Sequence, residues 1–213
     1  MKSDRKIQYQ AIELYAVALT VLLKFILMDW LGMRAFYITG TCLFWLGYVV
    51  FRYRKDHYIL RFWGFTRENL TKSLYVLLPF LGTVAVFTWL YGMYSGVRIL
   101  NIHVIPVLML YPAWGIIQQF MLVCIIAQNL QNRVYFSSHK IRVILLVSLF
   151  FSMVHYPYII LMVFTLLMEI IFLLVYKRWR NLWAIGLIHG WTATLLLYYV
   201  LHRDLWLELF AWF

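Results

Sequence analysis

The sequence predicts an all-α membrane protein, a polytopic helical bundle of about seven transmembrane helices. Three observations carry that expectation. Of the 213 residues, 65% are hydrophobic and 20% aromatic, more apolar surface than a soluble domain of this length can hide, but what lipid-facing helices require. The apolar residues fall mostly in runs of about 17–25 residues, the length that crosses hydrocarbon. Basic residues gather between alternate runs, a pattern that orients a chain in a bilayer. The formal charge of +11 therefore reads as membrane orientation, and no nucleic-acid partner is expected. No polar or Pro/Gly/Ser-rich linker divides the chain, so one membrane-embedded domain, 1–213, is expected.

In chain order, Lys2, Arg5 and Lys6 precede a first apolar run, 9–28. Glu13 interrupts that run and no small-x-small cleavage site follows it, so it reads as an uncleaved span. Runs at 35–51 and 73–92 complete an N-terminal part, 1–98, with a basic loop between them. The segment 99–111, with Asn101, His103 and Pro106, reads as a lipid-surface or re-entrant piece. Pro112 then falls in the first turn of a span at 112–131. The stretch from Ile141 to Tyr176 is too long for one crossing. It should break at His155-Tyr156-Pro157, because proline disfavours helix at the residue before it, leaving spans at 142–156, which is short, and 158–176. A span at 182–201 completes a core bundle, 99–201. The tail 202–213, HRDLWLELFAWF, reads as an interfacial helix anchored by Trp206, Phe210, Trp212 and Phe213. Cys42 and Cys124 fall inside spans and read as free thiols.

Charge fixes the expected orientation. With the N-terminus cytoplasmic, most of the 19 basic residues lie inside, in the N-terminal segment and the segments holding Arg52–Lys72, Arg133–Arg142 and Lys177–Arg180. Outside remain Arg34, Arg98 and Arg203, with Lys24 near the outer end of the first span. That asymmetry matches the positive-inside rule and puts the C-terminus outside. An integral protein of a bacterial plasma (inner) membrane is expected, with the lipid bilayer as its constant partner.

Strongly polar groups inside spans are rare and by default mark function. Here they are Glu13, Gln118, Gln119, His155, Glu169 and His189. A lone one often makes only a helix–helix hydrogen bond, and Glu13 is read that way. The others cluster in the C-terminal half, where successive residues on a helix differ by about 100°, so Gln118 and Gln119 can enter one interior but not point the same way. An unpaired amide in hydrocarbon costs several kcal/mol, roughly, so both need partners. Phe151 stands one turn before His155 on the same face.

The words FFSMVHYP and NLWAIGLIHG, in that order after Gln118-Gln119, resemble the CAAX protease and bacteriocin-processing (CPBP, or Abi) family, which includes type II CAAX prenyl endopeptidases. Members have Glu-Glu-x-x-x-Arg on one span, Phe-x-x-x-His on the next and His-x-x-x-Asn on the last. Phe151 to His155 matches the second motif, NLWAIGLIHG looks like the lead-in to the third, and ILRFWGFTRENLTKSL resembles the linker ahead of the family core. The resemblance covers roughly 60–199. It implies a CAAX protease-like core in the C-terminal half and endopeptidase action on membrane-associated or lipidated peptides, with no cofactor. The chain departs from the pattern where Gln118-Gln119 replaces the paired glutamates, Val123 the arginine and Ala193 the asparagine.

Those departures leave two main readings. In one, the protein is an intramembrane peptidase in which Glu169, placed near His189, replaces the missing base; Gln118, Gln119, His155, His189 and Glu169 are then its catalytic candidates. Phe151, Trp114 and Thr192 would support them. In the other, the protein is a pseudoprotease that binds or scaffolds a membrane peptide, a lipid or a partner protein without cleaving. A metal site or transporter is weaker: there is no HExxH, no His pair at i, i+4 within a span and no internal repeat.

Overall fold

The computed structural model describes residues 11–97, 102–132 and 140–210. All regular structure among these residues is helical. Helix α1 (Ala11–Leu23) continues as a π-helical turn to Trp30, followed by α2 (Arg34–Lys55), the short α3 (Ile59–Phe62) and α4 (Leu70–Tyr94). Helix α5 (Val104–Gln119) runs through a π-helical segment (Phe120–Ala127) into α6 (Gln128–Gln131). Then come α7 (Lys140–Met153), α8 (Ile159–Trp179), α9 (Leu182–Tyr199) and α10 (Leu205–Phe210). Lys2, Arg5, Lys6, Arg98, Asn101, Arg133, Trp212 and Phe213 lie outside the described residues.

Among the described residues six helices are long and apolar enough to cross a membrane: Ala11–Trp30, Arg34–Lys55, Leu70–Tyr94, Val104–Gln131, Ile159–Trp179 and Leu182–Tyr199. The protein is an integral membrane protein with a polytopic bundle. The seventh expected span is α7, whose 14 residues reach about 21 Å at 1.5 Å per residue, short of a hydrocarbon core about 30 Å thick. It packs against α8 across a break at 154–158, the place the His155-Tyr156-Pro157 sequence marked.

One expected boundary is corrected. The piece 99–111 was to be separate from the fourth span, yet its described part from Val104 onward is the first half of α5, and Pro112 lies inside that helix. Proline removes the N–H that would bond the carbonyl of Leu108. Trp191 Nε1 donates to Leu108 O instead, at 3.1 Å. A neighbouring helix has supplied the hydrogen bond the proline took away, so no break is needed.

The bundle is tied at two places. At one end Glu13, 4% exposed, accepts from Arg52 Nη1 at 2.5 Å, from Asn129 Nδ2 at 2.8 Å and from the Tyr48 hydroxyl. Helices α1, α2 and α6 therefore meet on one carboxylate. Nearby, Asn181 caps α9 by accepting from Ala184 N at 2.9 Å, while its Nδ2 donates to Thr66 O and Glu68 O. Gly64 holds the same corner at φ +79°, where a Cβ would lie 2.6 Å from Arg180 O.

The second tie sets the site. Gly115 on α5 faces Gly186 and Gly190 on α9, a small-xxx-small pair. A Cβ on Gly115 would lie 2.5 Å from Gly186 O, and one on Gly190 2.6 Å from Pro112 N. The helix backbones touch there, which brings the side chains one turn further along, Gln119 and His189, within hydrogen-bond reach. We expect Gly190→Ala to force these backbones apart and to destabilise the protein by about 1–3 kcal/mol. Gly82→Ala, with nothing within 4 Å of its Cβ position, should be neutral or slightly stabilising. Thermal unfolding in detergent compares the two.

Candidate functional site

Gln118 and Gln119 end α5 just where it passes into the π-helical segment, a geometry often found at functional sites. Their side chains part as the helical turn requires. Gln118 is half-buried and lines a cavity of about 150 Å³. Gln119 is fully buried and turns away from that cavity into the contact between α8 and α9.

Gln119 Nε2 lies 2.7 Å from Glu169 Oε2 and 2.9 Å from His189 Nδ1. An amide nitrogen has two hydrogens and gives one to each. The site thus contains a buried chain, Glu169–Gln119–His189, drawn from α8, α5 and α9. Glu169 is 0% exposed and does not line the cavity. It meets His189 through the amide. Glu169 Oε1 and Gln119 Oε1 are buried without hydrogen-bond partners.

His189 lines the cavity beside Gln118, His155 and Ala193. Because Nδ1 of His189 accepts from Gln119, a neutral ring carries its proton on Nε2. His155 is set the other way. Its Nδ1 is 2.8 Å from Phe151 O, and a carbonyl can only accept, so this ring keeps an unprotonated Nε2. Phe151 holds both rings, with centroids 4.7 Å from His155 and 5.5 Å from His189. One imidazole therefore offers a donor and the other an acceptor, while Gln118 has both. Such a set suits a group that is itself donor and acceptor, as a peptide amide or a water is.

The remaining expected residues are placed as follows. Trp114 lines the cavity and packs edge-on against Tyr37 at 5.9 Å. Thr192 is fully buried and donates to Ile188 O at 2.8 Å, within its own helix, and Ala193 is the α9 residue that lines the cavity at that level. Among the described residues no three His, Cys, Asp or Glu side chains converge as a metal-ligand set.

Sequence reasoning missed the mouth of the cavity, lined by Lys24, Asp29, Arg34, Arg203 and Glu208. Arg34 Nη1 and Arg203 Nη2 both approach Glu208 Oε2, at 2.9 and 2.6 Å, and Lys24 Nζ lies 2.6 Å from Asp29 Oδ2. The available signal was that Lys24, Arg34 and Arg203 are among the few basic residues that fall outside the basic segments of the sequence.

The buried chain has a measurable consequence. Glu169→Leu removes the acceptor and strands one amide hydrogen of Gln119, costing about 1–3 kcal/mol. Glu169→Gln keeps an acceptor oxygen of the same reach and should cost less. Unfolding of the two variants in detergent, side by side, reads the difference.

Comparison with curated proteins and with solved structures gives no match. Comparison with protein families does: residues 100–195 match the family described as Type II CAAX prenyl endopeptidase Rce1-like. The matched segment contains Gln118, Gln119, Phe151, His155, Glu169, His189 and Ala193. Over residues 100–195, a little under half of the chain, the protein is thus similar to the Rce1-like, type II CAAX prenyl endopeptidase family.

Proposed function

We propose that this protein is an intramembrane protease-like peptide binder in which hydrolysis is impaired. It holds a membrane-associated or lipidated peptide in the cavity through Gln118, His155 and His189. The observation that supports this is the position of the carboxylates. Among the residues lining the cavity only Asp29 and Glu208 are acidic, and both are engaged in ion pairs at its mouth. Glu169 reaches His189 only through the amide of Gln119 and does not line the cavity.

General-base hydrolysis needs a group that takes a proton from the attacking water. The Gln118 amide does not do so, although it can hold that water or the peptide by hydrogen bonds. Losing a general base costs about 10²–10⁴ in rate. Ala193, in the lining beside His189, offers no side-chain donor to an oxyanion, a further loss of about 10²–10³. The positive-inside pattern supports a cytoplasmic N-terminus.

The test uses the full chain in liposomes with a membrane-delivered peptide. Wild type should retain the peptide and cleave it at least about 100-fold more slowly than Gln118→Glu, which returns a carboxylate to the cavity. Wild-type cleavage as fast as that variant's, and abolished by Glu169→Gln, would overturn the reading in favour of Glu169 as the base.

A further inference from the structure

We propose that the mouth of the cavity binds an anionic headgroup, a phosphate or carboxylate, whose apolar chain runs inward; the ligand class is an anionic amphiphile. The charges there do not balance. Arg34 and Arg203 share the single carboxylate of Glu208, and Lys24 pairs with Asp29. The group of five thus keeps one unit of positive charge. Arg34 Nε is buried and, among the described residues, has no hydrogen-bond partner. The Arg34 side chain as a whole is 34% exposed, so an oxyanion can approach its guanidinium and offset the extra charge in the forked geometry that arginine favours.

The surroundings select an amphiphile over a free ion. Most of the remaining lining is apolar and includes Met28, Ile38, Phe164 and Leu197. A small hydrated anion gains nothing from that wall, whereas a hydrocarbon chain gains about 0.8 kcal/mol per buried CH₂. Helix α10 completes the mouth, bringing Glu208 and Leu209 over it. Its start is held by Asp204, whose Oδ1 accepts from the Tyr198 hydroxyl at 2.9 Å and from Trp206 N at 3.1 Å. Arg34, Arg203 and Glu208 all lie outside 100–195, so this headgroup site is built by the chain around the family domain.

The inference rests on the same cavity as the proposed peptide site, and its test uses no peptide. Purified protein in a non-ionic detergent is titrated with dodecyl phosphate, with dodecanol and with inorganic phosphate, read by calorimetry and by the fluorescence of cavity-lining Trp114. Dodecyl phosphate should bind at least about tenfold more tightly than either comparison compound, and Arg34→Gln should weaken it by about tenfold or more. Glu208→Gln, which removes a competing carboxylate, should instead tighten it. That opposite sign separates headgroup binding from mere loss of structure in Arg34→Gln. Equal affinity for dodecanol, or weaker binding in Glu208→Gln, would overturn the headgroup. Equal affinity for inorganic phosphate would overturn the amphiphile in favour of a free anion. In any of these cases the comparison of Gln118→Glu with wild-type cleavage stands unaffected.

Discussion

The backbone contact between α5 and α9 is the constraint on which the rest depends. Gly115, Gly186 and Gly190 have no side chain to hold the helices apart. In lipid there is little hydrophobic drive between helices, so close packing and interhelical hydrogen bonds must hold them. At this contact they act together. The glycines set the distance, Trp191 repairs the carbonyl that Pro112 left unpaired, and Gln119 bridges to His189. A larger side chain at any of the three glycines would break all of these connections at once.

From that contact the two amides acquire separate work. Gln119 is structural: it joins α5 to α8 and α9 and fixes which nitrogen of His189 carries the proton. Gln118 is left facing the cavity, where an amide can donate and accept hydrogen bonds but cannot take up a proton as a carboxylate can. A single residue's difference in helical phase thus divides a buried framework from a ligand-facing surface. The same cavity is lined by apolar residues and by the charged group of Lys24, Asp29, Arg34, Arg203 and Glu208, and the proposed peptide and headgroup sites both rest on it.

Much of this was legible in the sequence because it depends on local rules. Apolar run lengths located six helices long enough to cross a membrane, and the Pro157 rule located the break after α7. The divergence of Gln118 and Gln119 followed from helical periodicity, and the Phe151–His155 spacing placed two rings on one face. What was illegible depends on how one helix is rotated against another. The bond from Gln119 to Glu169 joins residues 50 positions apart, and no local pattern sets their relative phase. Thr192 and Ala193 are neighbours, and only the packing of α9 shows that Ala193 is the one lining the cavity. The helix through Pro112 was misread for the same reason, since its rescue comes from Trp191 on another helix. Of the mouth ion pairs only Arg34 with Glu208 is remote in sequence, and it forms because α10 packs against α2.

The central claim is that Gln119 donates to His189 and so keeps the carboxyl of Glu169 from the cavity. Nitrogen-15 NMR of histidine-labelled protein in lipid, with Gly190 and Gln119 intact, reads this directly at His189. The account predicts a neutral ring with Nδ1 unprotonated and Nε2 carrying the hydrogen. A protonated Nδ1 would contradict it, for the amide would then be accepting from His189 and Glu169 would be the group supplying a proton to the chain.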